Sequence, residues 1–79
     1  MDIKVLGPGC KNCITLEQRT KEALANLGAE ATVEKIEDYD QIASYGIMAT
    51  PGLVIDGQVV VVGKVPTVSA IEELISAQS

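Results

Sequence analysis

The residues predict an α/β chain of order βαβαββα, a four-stranded mixed sheet with helices on both faces. Three observations carry this prediction. Apolar residues switch along the chain between the alternation of a strand and the period of about 3.6 residues of a helix. Asp56-Gly57 stands between two apolar β runs, the turn chemistry of a hairpin. Gly7-Pro8-Gly9, a strong loop signal, divides the first apolar run from the first helical pattern.

Taken in order, Ile3-Lys4-Val5-Leu6 reads as a short strand that stops at Gly7. The helical period begins at Cys13. Leu16, Thr20, Ala23, Leu24 and Leu27 then share one face, while Glu17, Arg19, Lys21 and Glu22 face water. Glu17 and Lys21 are an i,i+4 pair in the favourable order, and Gly28 suits the left-handed position that ends a helix. Ala31 to Ile36 alternates as an edge strand with one wetter face. Asp38, with Gln41 three residues on, fits a capping box opening a short helix through Ile42, Ala43 and Tyr45 that stops at Gly46. Gly52-Leu53-Val54-Ile55 and Val59-Val60-Val61-Val62 form the hairpin, with Gln58 leaving the loop length open. Thr67 is the expected N-cap of a closing helix whose apolar face is Val68, Ile71, Leu74 and Ile75, with Ser76 to Ser79 expected to fray. The first βαβ unit implies a right-handed crossover between parallel strands.

Composition narrows the function. Seventy-nine residues suit one domain, 1–79, and 47 % are apolar. Phe and Trp are absent, so aliphatic side chains must fill the core. Net charge is −5, from 11 acidic and 6 basic residues, which leaves no basic stripe for nucleic acid or anionic lipid. No apolar run approaches the roughly 20 residues of a membrane span, and Met1 leads straight into a strand. The expectation is a cytoplasmic protein. No aromatic cluster advertises an interface, so a monomer is expected. In a reducing compartment a cysteine pair is more often redox-active or metal-binding than a structural staple.

Both cysteines of the chain, Cys10 and Cys13, lie in Cys10-Lys11-Asn12-Cys13 at the start of the first helical pattern. A thiol reacts as its thiolate, and an unperturbed cysteine with a pKa of about 8.5 is mostly protonated at neutral pH. The free N–H groups and macrodipole of a helix N-terminus favour negative charge there. Cys10, nearer the loop and solvent, is the attacking thiolate, and Cys13, covered by the first turn, resolves the mixed disulfide. Lys11 adds a positive charge nearby. Two other readings stand beside this one. Two thiolates are half of a tetrahedral zinc site with no histidine or third cysteine to complete it, leaving as the metal alternative a low-coordinate soft ion such as Cu(I), a metalloid such as As(III), or a site shared between two chains. The pair is otherwise incidental to a small interaction domain.

Two further stretches bear on the site. Ala49-Thr50-Pro51-Gly52 precedes the hairpin, and an X-Pro bond adopts the cis form at modest cost, usually in a tight functional bend. Gly63-Lys64 offers a backbone amide and a cation to an anionic group.

Together, Gly7-Pro8-Gly9-Cys10-x-x-Cys13 after a first strand, Thr50-Pro51 before a hairpin and a closing helix resemble the thioredoxin/glutaredoxin superfamily, nearest its small archaeal and bacterial thioredoxin-like members. The resemblance covers essentially the whole chain. It implies a thiol–disulfide oxidoreductase acting on protein disulfides, with Cys10 as nucleophile and Cys13 as resolving thiol. It also implies a cis Thr50–Pro51 bond beside the cysteines, with the Thr50 main chain pairing with an extended substrate segment. No cofactor beyond the Cys10–Cys13 couple is implied. The partners would be a disulfide-containing protein and an electron-donating reductase or low-molecular-weight thiol. The sequence departs from the thioredoxin Trp-Cys-Gly-Pro-Cys and the glutaredoxin Cys-Pro-Tyr-Cys patterns, and it lacks the glycine pair and acidic helix start that glutaredoxins use for glutathione.

Overall fold

The computed structural model of the chain describes residues 1–78. Its elements are β1 (Asp2–Leu6), α1 (Lys11–Leu27), β2 (Thr32–Ile36), α2 (Tyr39–Ser44), β3 (Gly52–Ile55), β4 (Gln58–Val62) and α3 (Val68–Gln78). The sheet order is β2-β1-β3-β4. β1 pairs with β2 in parallel, from Asp2 opposite Thr32 to Leu6 opposite Ile36. It pairs antiparallel with β3, which pairs antiparallel with β4. The βαβαββα order and the mixed sheet are those the sequence predicts.

The two central strands are the most buried, and their alternation divides the core in two. Ile3, Val5, Leu53 and Ile55 point to the face covered by Leu16, Ala23 and Leu24 of α1 and by Ile71 and Ile75 of α3. Leu6 and Val54 point to the other face, where Ile42 of α2 closes over them with Ile36, Tyr45, Ile47 and Val59. Helices thus cover both faces.

Local signals set the element ends. Gly28 takes φ 64°, and its N–H donates to the Ala25 carbonyl at 3.2 Å while that of Ala29 donates to Leu24 at 3.0 Å, a Schellman closure. Thr67 caps α3, its hydroxyl oxygen accepting from the Ala70 N–H at 3.1 Å. Asp56 and Gly57, at φ 48° and 84°, form the two-residue type I′ turn, and Gln58 proves to be the first residue of β4.

α1 starts at Lys11 with Cys10 as its cap, as the placing of Cys10 at a helix start leads one to expect. Several other expectations need correction. Leu27 is 40 % exposed, since the chain reverses at the next residue before the sheet can cover it. Arg19 does not simply face water: its Nη1 donates to the Pro66 carbonyl at 3.1 Å and ties α1 to the loop before α3. Glu17 meets Lys21 at 3.6 Å as expected and also reaches Lys35 of β2 at 3.8 Å. Only the Asp38 half of the capping box forms, its Oδ1 accepting from the Asp40 N–H at 2.8 Å. α3 extends to Gln78, since residues 76–78 contain no Gly or Pro to stop it, and Ser79, the last residue of the expected frayed end, lies outside the described residues.

Candidate active site

β1, second in the sheet and bordered on both sides, delivers the chain to the site. The ladder to β2 gains one rung past the strand, where the Gly7 N–H donates to the Ile36 carbonyl at 2.9 Å. Gly7 is glycine because of what it touches. A Cβ there would strike the Cys13 sulfur, with the Cys13 Cβ at 3.0 Å and the Pro51 Cα at 3.9 Å. Gly9, at φ 88°, then turns the chain into Cys10, which is extended at φ −68° and ψ 165°.

Cys10 caps α1 with both its main chain and its side chain. Its carbonyl accepts the Ile14 N–H at 3.0 Å, the first helical bond, and its Sγ accepts the Cys13 N–H at 3.2 Å. The sulfur therefore occupies the position that a serine or aspartate oxygen fills in ordinary caps. Negative charge on that sulfur faces a backbone donor and the positive end of a helix 17 residues long. Cys10 and Cys13 form a disulfide with a Cα–Cα separation of 5.0 Å. Their surroundings differ sharply: Cys10 is exposed, and Cys13 retains only 4 % of its surface.

The Thr50–Pro51 peptide is cis. Pro51 is buried behind Gly7 and Cys13, and Thr50 is exposed. Two segments far apart in sequence are thus brought to one place. The Gly63 N–H donates to the Pro51 carbonyl at 2.8 Å, adding a rung beyond the β3–β4 ladder. That amide is committed within the fold, which corrects the expectation that it is open to an anionic group. A Cβ on Gly63, at φ 72°, would stand 3.0 Å from the Ala49 Cβ, so the loop leaves little space there. Lys64 lines a groove with Val60, Pro66 and Glu73 that includes neither cysteine. Lys11, the first residue of α1, is exposed, and its ammonium makes no ion pair among the described residues.

Three features of the site lie outside the sequence reading. Gly7 registers there only as part of a loop signal. Glu37, which the sequence shows as one of several acids, places Oε2 within 3.2 Å of the Cβ position on Gly9. A groove of about 250 Å³ adjoins Thr50, lined by Tyr39, Ile42, Ile47 and Met48. The shifted titratable group among the described residues is none of these. Lys4 is held protonated above its ordinary value of 10.5 by a hydrogen bond with Tyr45 and that group's charge, then by Asp2. It lies with Glu34, Gln41 and Ser44 in a separate pocket. Among the described residues no three His, Cys, Asp or Glu side chains gather as a metal cage, and no helix is long and apolar enough to cross a membrane.

A disulfide with one open and one covered sulfur, seated on a helix N-terminus beside a cis proline, defines a thiol–disulfide oxidoreductase of thioredoxin-like architecture. Comparison with known proteins agrees: residues 1–76 match the family model described as a thioredoxin domain, and the chain belongs to that family. It is 41 % identical over 76 residues to a thioredoxin of Methanothermobacter thermautotrophicus, covering 96 % of this chain and 99 % of that one. It is 35 % identical over 71 residues to a thioredoxin of Methanocaldococcus jannaschii, covering 90 % and 81 % respectively. These relatives favour disulfide exchange over metal capture by the same two sulfurs.

Proposed function

We propose that residues 1–79 act as one domain that reduces or exchanges protein disulfides, with Cys10 as nucleophile and Cys13 as resolving thiol. The observation that carries the reading is the contrast between the exposed, helix-capping sulfur of Cys10 and the covered sulfur of Cys13. In the dithiol form, the Cys10 thiolate attacks one sulfur of a substrate disulfide, and the other sulfur leaves and takes up a proton. The Cys13 thiolate then attacks the Cys10 sulfur and displaces the second substrate thiol. Two electrons pass to the substrate, and the Cys10–Cys13 disulfide remains.

The surroundings support this assignment. The Cys13 N–H and the helix end stabilise the Cys10 thiolate, and Lys11 adds to the positive field. Thr50 makes no backbone hydrogen bond among the described residues, so its main chain is free to pair with an extended substrate segment beside Pro51. The adjoining groove at Tyr39 and Met48 gives such a segment an apolar surface. Gly63 serves this wall from behind, by fixing the Pro51 carbonyl. The two thiols need no further cofactor for this chemistry. A reductase or low-molecular-weight thiol regenerates the dithiol, and the reading places a monomer in the reducing cytoplasm.

Reduction of a protein disulfide by the dithiol form tests the proposal. Cys10→Ser abolishes the activity, and Cys13→Ser accumulates a mixed disulfide detectable by mass spectrometry. Activity that survives in Cys10→Ser overturns the assignment.

A further inference from the structure

We propose that the Glu37 carboxylate shifts the charge preference of the exchange site, against anionic disulfides and thiols and toward cationic ones. The inference rests on the proposed exchange chemistry and adds to it the class of substrate that the site admits.

The main chain at Glu37 is held from both sides. The residue before it, Ile36, ends β2 and accepts the Gly7 N–H at 2.9 Å, which fastens the strand end to the cysteine loop. The residue after it, Asp38, caps α2 through the Asp40 N–H at 2.8 Å. Between these anchors the side chain turns toward Gly9, and Oε2 lies 3.2 Å from where a Cβ would stand on that residue. The carboxylate thus lies beside Gly9, the residue before Cys10. Gly9, at φ 88° and without a side chain, leaves that position clear.

The charge at this position is uncompensated. Glu37 is exposed and makes no hydrogen bond or ion pair among the described residues. Lys11, on the opposite side of Cys10 in sequence, is likewise exposed and unpaired. The mouth of the site therefore carries a negative group on its Gly9 side and a positive group on its helix side. An incoming disulfide must bring one sulfur to the Cys10 sulfur, so any charge near its own sulfurs is read by these two groups. In water, a unit charge about 7 Å away changes the approach energy by about one RT, roughly threefold in rate. High salt removes most of such an effect, because the screening length falls to about 3 Å at 1 M.

The experiment uses protein reduced with dithiothreitol and freed of it, reacted with three aliphatic disulfides. Dithiodipropionate is a dianion, bis(hydroxyethyl) disulfide is neutral and cystamine is a dication. Each accepts two electrons from the dithiol, giving two small thiols and the Cys10–Cys13 disulfide. The quantity read is the rate of Glu37→Gln divided by that of the unaltered protein, for each reagent. The ratio should rise roughly threefold for the dianion, fall by a similar factor for the dication and stay near unity for the neutral reagent. All three ratios should approach unity in 1 M salt. Glu37→Lys should enlarge both shifts, with folding of each variant checked by circular dichroism. Equal ratios for the three reagents overturn the inference, including a common rise or fall, which would mean that Glu37 acts on the reactivity of Cys10. If the unaltered protein reduces none of the three, the exchange reading itself fails, a separate outcome.

Discussion

A methyl group added at Gly7 would collide with the sulfur of Cys13 and approach Pro51, so the absence of a side chain at this buried position lets the disulfide and the proline wall meet. Gly7→Ala should destabilise the protein by about 1–3 kcal/mol, the usual cost of overpacking a filled site. Urea denaturation of the oxidised form measures the loss. The same variant should slow closure of the Cys10–Cys13 bond, read as a slower second step after the mixed disulfide forms. At this scale the sequence is uneven as a guide. Cys10 and Cys13 are legible because their spacing on a helix start is itself the chemistry. Gly7 and Glu37 are not, because their roles exist only when β1 and β2 lie side by side and bring Ile36 to Gly7. The Gly63 amide misleads for a related reason: a loop glycine reads the same whether its N–H is free or, as here, bonded to the Pro51 carbonyl.

Among the elements, α2 depends most on its ends. Six residues are too few to hold a helix by propensity, so the Asp38 cap and the single buried anchor Ile42 carry it. Asp38→Ala should cost about 0.5–2 kcal/mol in urea denaturation. Because Glu37 sits one residue before that cap, the variant should also weaken the charge preference of the exchange site. The helices and the hairpin were readable from period, caps and the Asp56-Gly57 turn. The register inside the hairpin was not. β4 is four valines after a glutamine, and a uniform run carries no alternation to show which residue faces where. In the structure Leu53 pairs with Val61 and Val54 with Val59, so Val60 is a bulge. It packs with its neighbour Val61 on the α1/α3 side, while Val59 reaches the α2 side.

For the whole molecule, hydrophobicity marks β2, which carries Glu34 and Lys35, as an edge strand but does not order the rest, since β4 with its four valines takes the other edge and β1 with Asp2 and Lys4 takes the centre. The sequence supports that edge place of β2, although which of α1, α2 and α3 shares a face depends on connections that residue pattern alone does not weigh. α1 and α3 pack together over one face and α2 stands alone on the other. Ile71, fully buried, is the key of α3 in the larger core. Ile71→Ala should cost about 2–5 kcal/mol. A domain of this length holds about 4–12 kcal/mol in all, so the midpoint of denaturation should fall steeply, and part of the population should be unfolded at 37 °C. Thermal denaturation followed by circular dichroism gives the measure.

The bulge at Val60 has a consequence for how this protein survives among its own copies. β4 is an outer strand, and four valines in a row with an unpaired edge invite a foreign strand to add on, the first step of aggregation. An extra residue in the middle breaks the even spacing of donors and acceptors that such a strand would have to match. The opposite edge, β2, guards itself differently, with Glu34 and Lys35 exposed along it. One edge is defended by charge, and the other, which needs valine on both sides of the sheet, by irregular geometry.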